Sequence, residues 1–278
     1  MSSLGLSTLL LASCLSAPVA AYAGAKAEAG AGKNEDLFIF TLKYVTLKKG
    51  ERMVVPVGEF TLDYKDVYTL EVPFSPPPEV RRHFGHEQQA ELGRLLNAPK
   101  LIHKVRLYNK SGQPFTTAPA LLVREGKLLA QGMMTYTPHG AACDLTLTAA
   151  VDVKVSKTEK ETKRTPAAAR WESTNLQRMD LTGTLSLTNL RQQAVEVEIV
   201  RYVLGNVNGA GQGGKAEMLN VLEEDSGISA SAQPSWWGWY NWPAYWRHYN
   251  GVGRFVWKQK LEPGKSVDLT YHWYYYWP

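Results

Sequence analysis

The stretch VDLTYHWYYYW, residues Val267–Trp277, decides the fold class of this chain. Its large apolar and aromatic side chains stand at every second position, namely Val267, Leu269, Tyr271, Trp273, Tyr275 and Trp277. A period of two sends alternate side chains to opposite faces of a β-strand. The stretch therefore predicts a strand with one face in the core and the other toward solvent.

The same period recurs in three earlier stretches, which are Cys143–Val155, Leu181–Leu187 and Val195–Val200. Turn-forming residues separate the candidate strands at Asn109–Gly112, Glu125–Lys127, Pro138–Gly140 and Pro263–Lys265. Short strands joined by frequent turns are typical of antiparallel sandwiches. We therefore expect an all-β fold, an antiparallel β-sandwich.

One segment departs from this period. After the prolines Pro76–Pro78, apolar residues follow at near-helical spacing, namely Val80, Phe84, Leu92, Leu95 and Leu96. Gly85 and Gly93 weaken the helical pattern, because glycine costs free energy inside a helix. The segment Glu79–Leu96 predicts one short helix, which follows a smaller N-terminal β-segment (residues 37–74) and precedes the main β-domain.

Composition excludes several classes of protein. The apolar fraction is 44% and the charged fraction 21%, which are values of a globular rather than a disordered chain. The net charge of +5 is spread along 278 residues, with no dense basic run beyond Lys157–Arg164. Nucleic-acid binding is not expected from this charge distribution.

The first 23 residues resemble an export signal. Leu4–Ala20 is apolar and uncharged, and Ala21–Ala23 fits a signal-peptidase cleavage site, although no Lys or Arg stands near Met1. We expect a secreted or periplasmic protein. In the alternative interpretation, Leu11–Cys14 is a lipoprotein box, Cys14 is lipidated, and the protein is anchored to a membrane. Membrane contact is expected only in that case.

The predicted organisation has four parts. A signal peptide (residues 1–23) and a flexible Ala/Gly-rich linker (24–36) come first. The N-terminal β-segment plus helix follows (37–97), and the main β-sandwich domain completes the chain (98–278) and contains an aromatic loop (236–249). Removal of the signal leaves Cys143 as the single cysteine, so no intramolecular disulfide is expected.

The order of several segments is similar to a known family. These segments are Leu101–Pro119, Gly132–Val155, Met179–Val207 and the closing hairpin with its Pro263–Lys265 turn. They resemble domain-of-unknown-function family 4139, the β-rich domain of mucoidy-inhibitor-like proteins. The markers are Asn109, Gly183, Asn189 and Gly205, together with that turn. The resemblance implies a bacterial extracytoplasmic β-protein, and its markers have turn and packing roles rather than catalytic ones.

Residues Trp236–Tyr249 (WWGWYNWPAYWRHY), the aromatic segment, are the main candidate for function. Gly238 and Pro243 interrupt any regular period, so the sequence predicts a loop. In one interpretation its rings cap the end of the sandwich. In the other they form a contact surface for sugar rings, a partner protein or lipid headgroups. The candidate ligand-contact residues are Trp236, Trp237, Trp239, Tyr240, Trp242, Tyr245 and Trp246.

Other candidate motifs have simpler explanations. His83 and His86 form an H-x-x-H pair on the predicted helix, but no third ligand is indicated, so a solvated helix face is expected. Gly209–Gly214 matches G-x-G-x-x-G without the acidic residue that a dinucleotide site needs, and predicts a flexible loop. Cys143 is expected in the core. We assign no catalytic residue, metal ligand or cofactor.

These observations predict a non-enzymatic binding or structural protein of the bacterial cell envelope. The expected partner is an envelope glycan or another envelope protein, contacted through the aromatic segment. The alternative is an envelope hydrolase or metal-dependent enzyme with a site that sequence does not identify, so catalytic activity stays an open question.

Overall fold

A computed structural model describes residues 28–34, 37–43, 45–56, 58–96, 99–219 and 235–278. Strands make up 55% of the structure and helices 11%, which confirms the predicted β-rich, sandwich-like fold with few helices. The predicted signal peptide, its cleavage site and Cys14 lie outside the described residues.

The strands are, in chain order, β1 (Glu28–Asn34), β2 (Leu37–Lys43), β3 (Tyr64–Val72), β4 (Ile102–Tyr108), β5 (Ala118–Arg124), β6 (Lys127–Met134), β7 (Ala142–Ala149), β8 (Val153–Trp171), β9 (Thr174–Asn189), β10 (Val195–Leu204), β11 (Asn206–Ala210), β12 (Lys215–Leu219), β13 (Val252–Leu261) and β14 (Ser266–Trp277). The helices are α1 (Pro78–Arg81), α2 (His86–Leu95), a 3₁₀ helix (Ser235–Trp239) and α3 (Ala244–Tyr249).

The described strands form four sheets. A six-stranded sheet has the order β12-β13-β10-β3-β4-β7, and a four-stranded sheet has the order β11-β14-β9-β8. The pairs β1-β2 and β5-β6 form two further sheets. The pairs β10-β13, β14-β9 and β8-β9 are antiparallel, as predicted, whereas β3 pairs with β10 in parallel.

The chain divides into two compact units, each made of two stretches. Unit 1 comprises Met1–Lys65 with Arg106–Leu145, and unit 2 comprises Asp66–Val105 with Thr146–Pro278. All of β8 to β14 belongs to unit 2, as does the aromatic segment.

The core of unit 2 contains the inward residues that the period of two predicts. Leu269, Tyr271, Trp273 and Tyr275 of β14 are buried, and so are the inward residues of β9, β10 and β13. They come from both larger sheets, whose apolar faces meet in one core cluster. The alternation in Val267–Trp277 is confirmed.

Two sequence predictions need correction. Cys143–Val155 is not one strand: β7 ends at Ala149, and a turn places Val151, 80% exposed, on the surface. The turn interrupts the alternation, since Ala150 and not Val151 is buried, and the alternation resumes with the buried Val153. The predicted helix Glu79–Leu96 is two helices, because Gly85 adopts an extended conformation and forms the N-cap of α2.

One four-strand motif occurs twice. The first copy is β4, β5, β6 and β7, and the second is β9, β10, β13 and β14. In each copy the first and fourth strands are neighbours in one sheet, and the second and third strands are neighbours in another. The second copy carries a long insertion between its second and third strands, and this insertion contains the aromatic segment.

In each copy, a buried asparagine at or directly after the end of the first strand forms hydrogen bonds that hold the adjoining turns. The Asn109 amide donates to the Gln113 carbonyl at 2.9 Å and the Thr137 carbonyl at 3.0 Å. The backbone carbonyl of Asn109 accepts a hydrogen bond from the backbone N–H of Gly140, whose φ of +82° favours glycine.

The second copy repeats these bonds. The Asn189 amide donates to the Gln193 carbonyl at 2.9 Å and the Leu261 carbonyl at 3.0 Å. The backbone carbonyl of Asn189 accepts a hydrogen bond from the backbone N–H of Gly264, where φ is +67°. The buried asparagines thus satisfy equivalent backbone groups in both copies.

Candidate functional site

The aromatic segment is largely packed into unit 2. Trp236, Trp242 and Trp246 are buried, with Trp236 0% and Trp246 2% exposed. The segment is not the predicted loop, because Ser235–Trp239 forms a 3₁₀ helix and Ala244–Tyr249 forms α3. Pro243 separates the two helices and is the N-cap of α3, a position that its fixed φ suits.

The rings pack on one another and on the end of β14. Trp237 stacks on Trp242 with ring centroids 4.3 Å apart. The ring centroid of Trp246 lies 6.0 Å from that of Tyr275 and 5.7 Å from that of Trp277. The Trp242 indole N–H donates to the Trp237 carbonyl at 3.0 Å. Burying each large ring contributes about 2–3 kcal/mol. This geometry is that of a hydrophobic cap.

Four candidate contact residues keep part of their surface accessible. Trp237, Trp239, Tyr240 and Tyr245 are half-buried, and we call them the aromatic rim. Trp239 meets Phe84 edge-on with centroids 5.5 Å apart. These side chains therefore contribute to packing and also face solvent. Ligand contact by the rim stays a prediction.

A buried ion pair lies on the inner face of the four-stranded sheet. Arg201 of β10 is 1% exposed, and its Nη2 is 2.7 Å from Glu159 Oε1 on β8. The Tyr271 hydroxyl donates to the same carboxylate oxygen at 2.9 Å. The guanidinium also donates to the backbone carbonyls of Pro73 and Tyr202. Such complete hydrogen bonding is what a buried charge requires.

Neighbouring charges set the ionisation of this network. Burial raises the pKa of the Glu159 carboxyl, but the charges of Arg201 and Lys157 and two hydrogen bonds outweigh it and lower the pKa to about 2. Burial and the Arg201 charge lower the pKa of Lys157, whose Nζ is 3.5 Å from Glu159. Glu159 is therefore ionised at neutral pH and acts as the counter-charge of Arg201.

The outer face of the same sheet contains an open groove. Its volume is about 800 Å³, which lies within the range of ligand sites in proteins. We call it the outer groove. It is lined by Thr162, Lys163, Thr165, Ala168, Arg178, Asp180, Leu181, Thr182, Asn208, Gly209, His272, Trp273 and Tyr276.

Three shifts in strand register lie beside the outer groove. The β8–β9 register shifts between Glu161 and Lys163 and again between Thr165 and Ala169, and the β11–β14 register shifts between Val207 and Gly209. The residues skipped by these shifts include Thr162, Ala168 and Asn208, which all line the groove. Bulges bend strands and redirect side chains, and they are frequent beside binding sites.

Strain accompanies one of these bulges. Ala167, within the second shift of β8, has a φ of +47°, a left-handed conformation that is costly for a residue with a Cβ. Such backbone strain is concentrated at functional sites, where the surrounding structure maintains it. The outer groove is therefore a shaped feature of the sheet rather than a gap between loops.

Polar side chains of β9 and β14 form the floor of the groove. Arg178 donates to Asp180 Oδ1 with its Nη2 at 2.6 Å, and its guanidinium lies 3.6 Å from the centre of the Tyr274 ring. Thr182 Oγ1 is 2.9 Å from His272 Nδ1. These bonds order the floor and leave it polar, which suits a ligand rich in hydrogen-bonding groups.

The other predicted motifs form no site among the described residues. His83 lies between α1 and α2 while His86 begins α2, and the described part of the chain holds no cluster of three metal-binding side chains. Gly209–Gly214 is not the predicted loop throughout: it covers the end of β11 and the turn to β12, where Trp257 Nε1 donates to the Gly211 carbonyl at 2.9 Å. Cys143 is buried, as predicted.

Sequence reasoning missed the outer groove and the buried ion pair. The groove residues were visible as the polar half of alternating strands, for example Asp180 and Thr182 in β9. Bulges have no sequence signature that identifies them alone, so the convergence of these residues was not predictable. Arg201 gave a clearer signal, because it interrupts the apolar run of β10.

Within the described residues, no helix is both long and apolar enough to cross a lipid bilayer. Compared with protein-family models, curated proteins and solved structures, the chain matches none. The functional proposal for this chain therefore rests on the geometry of unit 2.

Proposed function

We propose that this chain is a non-enzymatic binding protein of the bacterial cell envelope, and that the outer groove is its contact surface for glycans. The observation that carries the proposal is the convergence of the three register shifts on one polar groove. Secretion to the periplasm or cell surface is part of the proposal and rests on residues 1–23. Membership of family 4139 stays a prediction.

The polar and aromatic content of the groove supports a glycan ligand. Thr165, Asn208 and Tyr276 present hydroxyl and amide groups, and none of these side chains has a hydrogen bond within the described structure. Hydroxyls and amides both donate and accept, as sugar hydroxyls do. The half-buried Tyr276 ring adds an aromatic face on which a sugar ring can pack.

The aromatic segment has a supporting role in this proposal. Tyr249 donates its hydroxyl to the Arg170 carbonyl of β8 at 2.7 Å, and its ring contacts Tyr276 at 5.4 Å. The segment therefore connects one wall of the groove to the end of β14. We propose that it fixes the groove, and that the aromatic rim is not the main contact surface.

The test is binding to an array of immobilised bacterial envelope glycans. Ala168→Trp places a large side chain in the groove at an exposed position and should abolish binding. Ala194→Trp, also at an exposed position but outside the groove lining, is the matched control and should bind normally. Trp239→Ala tests the aromatic rim. If the folded Trp239→Ala protein loses binding and Ala168→Trp does not, the contact surface is the rim and the proposal is wrong.

A further inference from the structure

We infer that the outer groove selects an anionic saccharide, a sugar chain that carries a carboxylate or a phosphate group. This inference rests on the proposed function, because it names the ligand class of the same groove. It follows from the charges that line the groove and from the pairing of those charges.

The acidic side chain that lines the groove is already neutralised. Asp180 is held by Arg178, with both Nε and Nη2 of the guanidinium bonded to Oδ1 at 3.0 and 2.6 Å. The pair is bonded at short distance and is only partly exposed, so its two charges largely cancel toward a ligand. Neither side chain is therefore the determinant of ligand charge.

Lys163 carries the net positive charge of the groove, because its register partner Asp180 is already bonded to Arg178. Lys163 lines the groove beside the first bulge of β8, and no carboxylate pairs with it in the part of the chain that the structure describes. Lys160 stands opposite Thr182 in the register and is exposed. Because register partners in a sheet point to the same face, Lys160 adds a second positive charge beside the groove.

Charge complementarity then distinguishes between kinds of ligand. A neutral sugar would desolvate Lys163 without supplying a counter-charge, which costs free energy. A carboxylate or phosphate would form a charge-assisted hydrogen bond with its ammonium group. A single-stranded nucleic acid needs a row of cations and several stacking rings, whereas this groove offers Lys163, Lys160 and Tyr276. The geometry therefore favours an anionic saccharide.

The experiment is calorimetric titration of the full chain with three trisaccharides. The probes are trigalacturonate, a mannose trimer carrying one phosphate, and the neutral galactose trimer. At least one anionic probe should bind about tenfold or more tightly than the neutral trimer, which corresponds to one charge-assisted hydrogen bond. The preferred anionic probe identifies carboxylate or phosphate as the recognised group. Binding should weaken as salt concentration rises.

Lys163→Gln is the decisive variant. It should weaken binding of the anionic probe about tenfold and reduce the preference for that probe over the neutral trimer by a similar factor. Lys154→Gln is the matched control, since Lys154 is an exposed lysine of the same strand, about nine residues or roughly 30 Å away. It should bind like the wild type.

The possible failures of the inference and of the proposed function are distinguishable. Equal affinity for neutral and anionic trimers, lost in Ala168→Trp, overturns the inference and leaves the proposed function standing. Unchanged anionic binding in Lys163→Gln also overturns the inference. If no trimer binds, the inference is wrong, and the proposed function is wrong as well only if the glycan array shows no binding.

Discussion

The two faces of the four-stranded sheet differ although the same strands build them. On β14, the inner residues Tyr271, Trp273 and Tyr275 are buried, and the neighbouring outer residue His272 is exposed. The inner face packs against the six-stranded sheet and contains a satisfied ion pair. The outer face contains a bulged, polar groove with Lys163, which forms no ion pair with any residue that the structure describes.

The most conspicuous residues of the sequence are therefore not the ones that line the proposed contact surface. The aromatic segment dominates the sequence, yet its largest rings stabilise the inner core. The outer groove is made of ordinary threonine, asparagine and lysine side chains that bulges bring together. If the account is right, inner-face variants change stability, while outer-face variants change binding alone.

The largest expected effect on stability is at the cap. Trp246→Ala removes a buried ring that contacts Tyr275 and Trp277, and it should lower the free energy of unfolding by about 3–5 kcal/mol. Trp239→Ala is the control, because this half-buried ring should cost clearly less. Urea denaturation measures both. Equal small losses would mean that the aromatic segment is not a cap.

The next largest effect concerns the buried ion pair. Glu159→Gln leaves the Arg201 guanidinium buried without its counter-charge and should cost about 3 kcal/mol. The double variant Glu159→Gln with Arg201→Met should recover part of this loss, because it removes the uncompensated charge. A double-mutant cycle measures the coupling. Additive losses would show that the two side chains do not interact.

The same pair predicts a dependence of stability on pH. The pKa of Glu159 is about 2 in the folded protein, below its ordinary value of 4.5. Its contribution is therefore complete above about pH 4.5 and is lost as pH falls toward 2. Glu159→Gln should show a flatter fall in the free energy of unfolding across that range. An unchanged pH profile would contradict the assigned ionisation.

A smaller effect is expected where Gly183 admits the Tyr271 ring. A Cβ at Gly183 would lie 2.1 Å from that ring, so Gly183→Ala should cost about 1–3 kcal/mol through overpacking. Gly93→Ala, in α2 with open space around it, is the control and should stabilise by up to about 1 kcal/mol. Thermal unfolding compares the two. No loss in Gly183→Ala would show that the ring moves freely.

The smallest effect on stability should come from the outer groove. Lys163→Gln changes an exposed side chain and should alter the free energy of unfolding by less than about 0.5 kcal/mol. Denaturant titration beside the binding measurement separates the two properties. A large loss of stability would place Lys163 in the structural framework and remove the contrast between the faces.

The sequence predicted the inner face better than the outer one. Alternation along β9, β10 and β14 identified the buried residues correctly, because burial repeats with the period of the strand. The break at Val151 was missed, since the apolar pattern continues through the turn. The repeated Asn-x-x-x-Gln at Asn109 and Asn189 was a readable sign of the duplicated motif.

The candidate site was less predictable for physical reasons. A bulge depends on how two strands pair, and neither strand records the offset in its own sequence. The aromatic segment was misassigned as a loop because Gly238 and Pro243 were expected to prevent regular structure. Each of them instead fits a short helix, with Pro243 at the N-cap of α3.

Hydroxyl-radical footprinting, with and without trigalacturonate or the phosphate-bearing mannose trimer, tests the division between the two faces most directly. Whichever probe binds should protect Tyr276 and the peptide Arg178–Thr182 from modification. No change is expected at Trp237, Trp239, Tyr240 and Tyr245, because the proposed contact surface is the outer groove and not the aromatic rim. Protection confined to the aromatic rim, with the outer groove unchanged, would contradict this division.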